Sequence, residues 1–256
     1  MKGDSAASSG SLAGRTALIT GATGRLGRAI ALSLAARGAT IILHYHRSRE
    51  KAEALAQELH NGPAEARLLE ADFRAPGSGE ALLESALKLS GTFDILVNNA
   101  SLFTGSTCAT VTQEDFFDNL RVNAWAPFVI GRAFSRITEK GIIINILDSR
   151  IAGYDLHHAG YIVSKHALAE LTRMMAMAFA PGITVNAVAP GLVPPEEGSI
   201  EAGATVPSPA RIPLQCFARP GDVADAVCYL AASEAISGQT IFVDGGRHMR
   251  EHRPGG

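Results

Sequence analysis

The chain has 256 residues, of which 46% are hydrophobic and 19% are charged, and its formal net charge is -2. This length suits one large α/β domain or two small ones, and we expect one. A charge this close to neutral predicts no nucleic acid partner and no anionic membrane partner. The cysteines Cys108, Cys216 and Cys228 are widely spaced without a CxxC pattern. They indicate neither a disulfide framework nor a zinc site and favour the reducing cytoplasm.

Both ends of the chain differ from its interior. Residues 1–11 lack the apolar core of a signal peptide and are expected to form a flexible leader, and residues 248–256 form a polar tail. The uncharged run 174–193 is long enough to suggest a membrane span, but Pro181 and Gly182 interrupt it. We interpret it as a helix, a turn and a buried strand.

The first elements form a strand, a glycine-rich turn and a helix. Thr16 to Thr20 is a short apolar run typical of a buried parallel strand. The turn TGATGRLG ends at Gly27, and an amphipathic helix from Arg28 to Arg37 follows it. Glycines there let the backbone approach a pyrophosphate at the N-terminus of the helix. The pattern predicts a nucleotide site, although a plain strand-to-helix turn has the same glycines.

The second strand, 39–45, is followed by His46, Arg47 and Ser48 and by no acidic residue. An acid at this place usually accepts a hydrogen bond from the ribose of NAD, whereas a cation accommodates the additional phosphate of NADP. Arg47 can bind phosphate oxygens with two hydrogen bonds, Ser48 can donate one, and Arg25 adds positive charge from the glycine turn. We therefore expect NADPH, the alternative being a solvated basic turn.

Alternating helices and strands continue to the end of the chain. Asp72 follows a strand and is expected to face the adenine, and the turn NNAS, 98–101, follows the next strand. Phe103 in that loop either stacks on a flat substrate or plugs the edge of the core. The predicted elements are helices at 50–60, 79–89, 113–138 and 223–231, and strands at 66–71, 93–97, 141–147, 183–189 and 240–243.

Two further features concern the shape of a site. Asn123 and Pro127 lie within the long helix 113–138, where the proline is expected to kink the helix and free a carbonyl. The proline-rich segment 192–219 is too long for a simple connection and is a candidate substrate lid.

Tyr161 and Lys165 are four residues apart, which places both side chains on one face of a helix. A nearby ammonium group favours the phenolate, so the pKa of the tyrosine is expected to move toward neutral pH, where proton transfer is effective. The same pair also occurs by chance on solvated helices. His157, His158 and His166 lie close by, but no carboxylate-rich ligand spacing accompanies them, so no metal site is predicted.

Together, the motifs between residues 12 and 246 resemble the short-chain dehydrogenase/reductase family. The resemblance is carried by TGATGRLG, NNAS, Asn123, YIVSK (161–165), Pro190 with Gly191, and DGG (244–246). It implies one Rossmann-type doubly wound parallel sheet of about seven strands with helices on both faces, spanning 12–247, and often a homotetramer. It also implies that Tyr161 is the acid, that Lys165 binds the nicotinamide ribose and lowers the pKa of the tyrosine, and that Asn123 holds a proton-relay water.

One position departs from the family pattern. The family usually has a serine 13 residues before the tyrosine, where this chain has Asp148. The pteridine reductase branch is similar to this chain in that aspartate, in RLG, in HYHRS, in NNAS and in the aromatic Phe103. This resemblance implies that a pterin lies between Phe103 and the nicotinamide. The implied substrate-binding residues are Arg25, Ser101, Phe103, Asp148 and Tyr161, and the implied cofactor-binding residues are Gly21, Arg25, Leu26, Gly27, His46, Arg47, Ser48, Asp72, Phe73, Asn99, Ala100, Ser101, Tyr161, Lys165, Pro190 and Gly191.

The predicted reaction is the reduction of a dihydropterin, such as dihydrobiopterin, dihydromonapterin or dihydrofolate, with NADPH as hydride donor. Asp148 and Tyr161 form the acid pair, and burial is expected to raise the pKa of the carboxyl group. Two alternatives remain. Ser149 could replace the missing serine in a ketone or 3-oxoacyl reductase, or the chain could be a dinucleotide-binding sensor without catalysis.

Overall fold

A computed structural model describes residues 11–60, 65–193 and 208–250, and in it seven parallel strands form one sheet. The strands are β1 (Thr16–Ile19), β2 (Thr40–Tyr45), β3 (Ala66–Glu70), β4 (Ile95–Asn98), β5 (Gly141–Ile146), β6 (Ile183–Pro190) and β7 (Thr240–Val243). The helices are α1 (Arg25–Ala35), α2 (Arg49–His60), α3 (Ser78–Ser90), α4 (Gln113–Leu120), α5 (Ala126–Ile137), α6 (Ala159–Ala178) and α7 (Pro220–Ala231).

The strand order is β3-β2-β1-β4-β5-β6-β7, and all neighbouring pairs are parallel. The chain moves outward from β1 to β3 and then returns to place β4 on the other side of β1. Ligands of open α/β sheets bind at the carboxyl ends of the strands beside such a reversal. The predicted doubly wound α/β fold is confirmed, and it brings the turns after β1 and β4 together.

Alternate residues of each strand face two separate helical layers. Ile19 of β1 packs with α1, α2 and α7, whereas its neighbour Leu18 packs with α3, α5 and α6. Ile144 and Ile143 of β5 divide between the two layers in the same way. A strand that is buried on both faces needs apolar residues at every position, which explains the continuous apolar runs in the sequence.

The region predicted as one helix, 113–138, contains a change of helical register. A π-helical turn, Arg121–Trp125, separates α4 from α5, and the Ala126 N–H donates to the Arg121 carbonyl five residues earlier. Pro127 lies in the first turn of α5 and has no N–H to bond the carbonyl four residues earlier, that of Asn123 in the π-helical turn. The helix therefore has an irregularity in the turn before Pro127, and the expected kink and free carbonyl remain predictions.

Several predictions concern segments that lie partly outside the described residues. These are the leader (1–11), the lid (192–219) and the tail (248–256), of which the structure describes residues 11, 192–193, 208–219 and 248–250. The division of the chain into a leader, one domain and a tail remains a prediction. Within the three described ranges, no helix has both the length and the apolar character needed to cross a membrane.

Candidate active site

The turns after β1 and β4 interlock at the centre of the sheet edge. Thr20 Oγ1 accepts hydrogen bonds from the backbone N–H groups of Asn99 and Ala100 at 2.9 and 3.0 Å. Asn99 Nδ2 donates to the carbonyls of Thr20 and Gly21 at 3.0 and 2.9 Å. Gly21 has φ +63, and a Cβ atom there would lie 2.7 Å from Ala100 Cα. Only glycine fits this crossing without strain.

His44, near the end of β2, joins these turns to the neighbouring strand. Its Nδ1 accepts from the Gly21 N–H at 3.1 Å, and its Nε2 lies 3.1 Å from the Ala71 carbonyl. The ring stacks on Phe73 at 4.5 Å. Burial lowers the pKa of His44 to about 4, so the neutral ring accepts at Nδ1 and donates at Nε2. The sequence analysis included His44 only within the HYHRS motif and missed this structural role.

A cleft of about 700 Å³ opens above these turns. Twelve of the predicted cofactor-binding residues line it, namely Gly21, Arg25, Leu26, Gly27, His46, Arg47, Ser48, Asp72, Phe73, Asn99, Ala100 and Ser101. Among the described residues, no side chain caps α1 at Gly24. The N-terminus of a helix without a capping side chain presents backbone N–H groups that suit a phosphate.

The rim of this cleft carries several cations. Asp72 is bonded by Arg74 through Nε and Nη2, at 3.3 and 3.1 Å, and by His46 at 3.2 Å. The Arg74 hydrogen bonds hold the pKa of Asp72 below its usual value. The exposed Arg47 has no ion-pair partner among residues 11–60, 65–193 and 208–250. The rim therefore offers a guanidinium group to a phosphate, and Arg74 is a rim cation that the sequence analysis missed.

A second cavity of about 860 Å³ continues from the first. The two share Leu26, Ser101 and Val193 in their walls, so they form one cleft along the carboxyl edge of the sheet. Side chains and backbone of the predicted substrate and catalytic region line the second cavity, namely Ser101, Phe103, Asp148, Tyr161, Pro190 and Gly191, together with Arg150 and His158. Arg25, which was predicted to contact both ligands, lines the first cavity and is absent from the wall of the second.

Tyr161 and Lys165 lie on α6 below this cavity. The Tyr161 hydroxyl donates to Asp148 Oδ2 at 2.9 Å. Lys165 is buried, and its Nζ donates to the Ile146 carbonyl at 2.8 Å and lies 5.7 Å from the centre of the Tyr161 ring. Burial lowers the pKa of Lys165 to about 8. Burial and the negative charge of Asp148 raise the pKa of Tyr161. The expected shift of the tyrosine toward neutral pH is therefore wrong for the chain alone.

Arg150 determines the protonation state of Asp148. The Arg150 guanidinium donates from Nε to Asp148 Oδ1 at 3.1 Å and from Nη2 to Oδ2 at 2.8 Å. Burial acts to raise the pKa of Asp148, but these hydrogen bonds and the positive charge outweigh it and hold the pKa below its usual value. The expectation of a raised pKa, and of a protonated carboxyl group, is wrong because it did not include Arg150.

Phe103 lies at the open side of the cavity with 54% of its surface exposed, so it does not plug the core. Its ring stacks on His158 at 4.3 Å and meets the edge of the Tyr161 ring at 4.7 Å. His158 Nδ1 is bonded to Asp155 Oδ2 at 2.8 Å. The cavity therefore has an aromatic wall whose orientation is fixed by a charged side chain behind it.

Asn123 lies in the π-helical turn and is completely buried. Its Oδ1 accepts from the Leu102 N–H at 2.7 Å, and its Nδ2 donates to the Leu102 carbonyl at 2.8 Å and to Ser164 Oγ at 2.9 Å. These bonds fix the loop between Ser101 and Phe103 against α6. The predicted role of Asn123 in holding a relay water remains a prediction.

Of the two predicted positions Ser149 and Gly191, only Gly191 lines the second cavity. Ser149 is buried with 1% exposure and is not part of the cavity wall, whereas the Asp148 carboxylate reaches Tyr161. Gly191 follows β6, and a Cβ atom there would lie 2.7 Å from Asp244 Cα. Within the described ranges, no group of three or more His, Cys, Asp or Glu side chains could hold a metal ion.

Comparison with known proteins places this geometry in a family. A family model described as enoyl-(acyl carrier protein) reductase matches residues 21–248. The chain belongs to the short-chain dehydrogenase/reductase family. The 3-oxoacyl-(acyl-carrier-protein) reductase FabG of Staphylococcus aureus (strain Mu50) is 31% identical over 242 residues, 92% of this chain and 98% of that protein. Versicolorin reductase stcU of Emericella nidulans is 34% identical over 254 residues, 92% of this chain and 96% of that protein.

A solved structure of this family is similar to the whole described fold. The FolM alternative dihydrofolate reductase 1 from Brucella canis, complexed with NADP, superposes with a TM-score of 0.84 and is 29% identical. The similarity covers 94% of this chain and 97% of that chain. The similar proteins therefore include a 3-oxoacyl reductase, a versicolorin reductase and a protein named for dihydrofolate reduction.

Proposed function

We propose that this short-chain reductase uses NADPH to reduce a dihydropterin to the tetrahydropterin. One observation carries the proposal: a carboxylate, Asp148, lies 2.9 Å from the Tyr161 hydroxyl at the position where the family usually has a serine. The exposed Phe103 ring beside them offers an aromatic wall for a flat heterocycle. Similarity to FolM, named as a dihydrofolate reductase, supports the same substrate class.

The cofactor is NADPH. The uncapped N-terminus of α1 fits the pyrophosphate, and the close crossing of Gly21 and Ala100 leaves the turn without side-chain bulk. Arg47 and Ser48 fit the additional phosphate, since a guanidinium group and a hydroxyl are donors for phosphate oxygens. The FolM structure was solved with NADP. We expect Arg47→Ala to lower the ratio of kcat/KM for NADPH to that for NADH by about tenfold to a hundredfold, the loss of one or two charged hydrogen bonds. A wild-type preference for NADH would refute this assignment.

Each residue of the site has one task in the proposed reaction. When bound, the nicotinamide supplies the hydride. Tyr161 holds a proton at its hydroxyl, and Asp148 accepts from that hydroxyl and orients it. Lys165 is assigned to the nicotinamide ribose by the family resemblance; in the chain its Nζ is bonded to the Ile146 carbonyl. Asn123 fixes the loop that carries Ser101 and Phe103. The raised pKa of Tyr161 keeps the phenol protonated at neutral pH, as an acid requires.

A substrate panel tests the proposal. Absorbance at 340 nm is followed with NADPH and dihydrobiopterin, dihydromonapterin, dihydrofolate, a diketone or a 3-oxoacyl thioester. We expect the largest kcat/KM for one of the dihydropterins and a loss of at least a hundredfold in Tyr161→Phe, which removes the proton donor. No turnover of any pterin or folate by folded protein would end the proposal.

The second candidate is a 3-oxoacyl or ketone reductase, which the similarity to FabG over 98% of that protein favours. In the sequence analysis this alternative relied on Ser149, but that side chain is buried outside the cavity wall. A carbonyl substrate would therefore have Tyr161, but no hydroxyl from Ser149, to stabilise its oxygen. The panel separates the two candidates directly.

We also propose a homotetramer in the cytoplasm. Large apolar side chains on α4, α6 and the π-helical turn are exposed in the single chain, among them Phe117, Trp125 and Met174. Apolar surface of this kind is typical of an interface between subunits. Light scattering after gel filtration should give the mass of four chains, and Trp125→Lys should lower it. A wild-type monomer would contradict this proposal.

A further inference from the structure

A cluster of charged side chains, most of them outside the sequence motifs, lies beside Tyr161. Arg150 is its centre: it donates to both oxygens of Asp148 at 3.1 and 2.8 Å, and its Nη1 pairs with Asp155. Asp155 Oδ2 is also bonded to His158 Nδ1 at 2.8 Å. These contacts tie the start of the loop after β5 to the start of α6. They form one wall of the cavity that holds the Tyr161 hydroxyl.

The cluster is well shielded from water and held at several points. The exposed fractions of the Arg150, Asp148 and Asp155 side chains are 19%, 15% and 6%. The Arg150 backbone N–H also donates to Asp148 Oδ1 at 2.9 Å. The guanidinium carbon lies 5.3 Å from the ring centres of both Phe103 and Tyr161. Charged hydrogen bonds with two donors fix direction as well as distance, so Asp148 has one orientation, with Oδ2 facing the tyrosine.

The charges of this cluster do not cancel when His158 is neutral. Two carboxylates, Asp148 and Asp155, share one guanidinium group, which leaves a net charge of one negative unit. Lys165, four residues from Tyr161 on α6, directs its Nζ to the Ile146 carbonyl, and Arg211 and Arg247 line the same cavity. The negative end of the cluster, Asp148 Oδ2, is the atom that contacts the reacting hydroxyl. A substrate atom that takes the proton of Tyr161 therefore sits close to an anion.

We propose that Arg150 is a specificity-determining positioning residue: by fixing the Asp148 carboxylate beside the Tyr161 hydroxyl, it makes this cavity select a C=N bond over a C=O bond. This inference rests on the reductase function proposed above and narrows its substrate class. It assigns a role to Arg150 that acts through Asp148 and needs no contact between Arg150 and the substrate.

The charge that develops on the substrate gives the reason. In the reduction of a C=N bond, the carbon accepts a hydride with its electron pair from the reduced nicotinamide, and the π bond breaks. The nitrogen takes the proton of the Tyr161 hydroxyl and gains positive character as the proton arrives; the product is a neutral amine, and Tyr161 is left as a phenolate that regains its proton from water. Asp148 disfavours that phenolate equally for both kinds of substrate, so the difference between them lies in the charge on the substrate atom. A fixed carboxylate stabilises the positive charge on the nitrogen. In the reduction of a C=O bond the oxygen gains negative charge, which the same carboxylate repels.

The experiment compares three substrates in four proteins. The substrates are 7,8-dihydrobiopterin, a cyclic imine without a pterin ring (3,4-dihydroisoquinoline) and a diketone (9,10-phenanthrenequinone). The proteins are wild type, Arg150→Met, Arg150→Lys and the control Arg173→Met, which removes an arginine from an exposed pair with Glu170 on the same helix as Tyr161. We expect Arg150→Met to lower the imine-to-ketone ratio of kcat/KM at least tenfold, mainly through kcat. Arg150→Lys should recover most of the ratio, and Arg173→Met should match wild type.

A pH profile separates positioning from general damage. Without Arg150, burial is free to raise the pKa of Asp148, so the acidic limb of kcat/KM for the imine should move to higher pH in Arg150→Met. Arg150 also contacts Asp155 and His158, so the comparison is repeated in an Asp148→Asn background, where the loss of Arg150 should leave the acidic limb in place. Circular dichroism and NADPH binding verify the fold of each variant. If Arg150→Met does not fold, Arg150→Gln provides the same ratio and profile.

The outcomes test the role of Arg150 and the proposed pterin function separately. An equal loss on all three substrates in Arg150→Met, or an unchanged ratio, overturns the role of Arg150 even when wild type reduces dihydrobiopterin. Wild-type turnover of the cyclic imine without turnover of any dihydropterin supports the C=N preference and contradicts the pterin function. Wild-type turnover of the diketone alone overturns both.

Discussion

Replacing Asp148 with asparagine removes one negative charge from the site and keeps the size of the side chain. The carboxylate accepts four hydrogen bonds: from the Tyr161 hydroxyl at 2.9 Å, and from the backbone N–H, Nε and Nη2 of Arg150 at 2.9, 3.1 and 2.8 Å. An asparagine has one acceptor oxygen, and its NH₂ group would point donor hydrogens at the donors of Arg150. Two of the four bonds are therefore lost, and the buried Arg150 guanidinium loses one of its two carboxylate partners.

The loss of unfolding free energy in Asp148→Asn follows from the burial of the ion pair between Asp148 and Arg150. Removing one partner of a buried ion pair costs about 3–5 kcal/mol. Arg150 keeps Asp155 as a second partner, so we expect the lower end of that range, about 3 kcal/mol. For a chain of this size, about 2–4 °C of Tm corresponds to 1 kcal/mol. Asp148→Asn should therefore lower the Tm at pH 7 by about 6–12 °C.

Thermal unfolding followed by circular dichroism measures this change, with Asp222→Asn as the matched control. Asp222 pairs with Arg219 at 3.5 Å on the surface, where the side chains are 42% and 84% exposed. It also accepts from the Arg219 backbone N–H at 2.8 Å, a bond that an asparagine oxygen can keep. Exposed pairs contribute about 0–1 kcal/mol, so the control should shift the Tm by about 4 °C or less. Equal shifts in Asp148→Asn and Asp222→Asn would refute the argument that burial makes the Asp148 pair strong.

The pH dependence provides a second measurement of the same pair. The pKa of Asp148 is held below its usual value in the folded chain, so its ionised form stabilises the fold above the unfolded pKa of about 3.9. That contribution is lost as the pH falls through the lower, folded pKa. The difference in unfolding free energy between wild type and Asp148→Asn should therefore shrink from pH 7 toward about pH 3. A constant difference over this range would contradict an ionised pair.

Three further predictions concern the framework of the cleft. Gly21→Ala should weaken NADPH binding and should lower the unfolding free energy in urea by about 1–3 kcal/mol more than Gly14→Ala does. Both glycines have positive φ, but only a Cβ atom at Gly21 would meet backbone, 2.7 Å from Ala100 Cα. Equal costs for the two variants would contradict the close crossing. His44 has a folded pKa of about 4, below its unfolded value of 6.5, so its contribution is complete above pH 6.5 and is lost as the pH falls toward 4. Unfolding free energy should be about 2 kcal/mol lower at pH 5 than at pH 8, and His44→Gln should flatten this slope; a flat wild-type profile would count against it. Asn123→Ala should destabilise the fold by about 3 kcal/mol, because the buried partners of Asn123 lose their hydrogen bonds. The variant should also raise the KM for the substrate, since Asn123 holds the loop that carries Phe103. An unchanged KM would show that the loop keeps its position without Asn123.

The sequence predicted the fold through local patterns. Continuous apolar runs mark strands that are buried on both faces, and Ile143 and Ile144 of β5 face opposite helical layers as that pattern requires. The strand Thr240–Val243 has the predicted bounds. Gly21 was recognised because a tight turn between a strand and a helix needs a residue that tolerates positive φ. Such constraints act within a few residues, so they can be recognised without knowledge of distant contacts.

The register change before α5 could not be predicted in this way. The sequence predicted an irregularity through Pro127, but it did not show that the helix forms a π-helical turn around Asn123. That residue is bonded to Leu102 and Ser164, which are 21 and 41 residues away. Because those partners come from other elements, the preference for a π-helical turn depends on tertiary contacts that helix propensity does not contain.

In the active site, the sequence predicted the positions of residues better than their protonation states. The spacing of Asp148, Tyr161 and Lys165 was sufficient to place all three at one end of the sheet. Their protonation was predicted wrongly, because Arg150 turns back onto Asp148 and the tyrosine and lysine are buried. A pKa depends on burial and on charges within a few ångströms, and residue spacing along the chain does not determine either. The sequence by itself determined that Asp148 and Tyr161 meet in the cleft, and only the tertiary structure added Arg150 beside them and decided their charge, because burial and contacts between distant residues arise on folding.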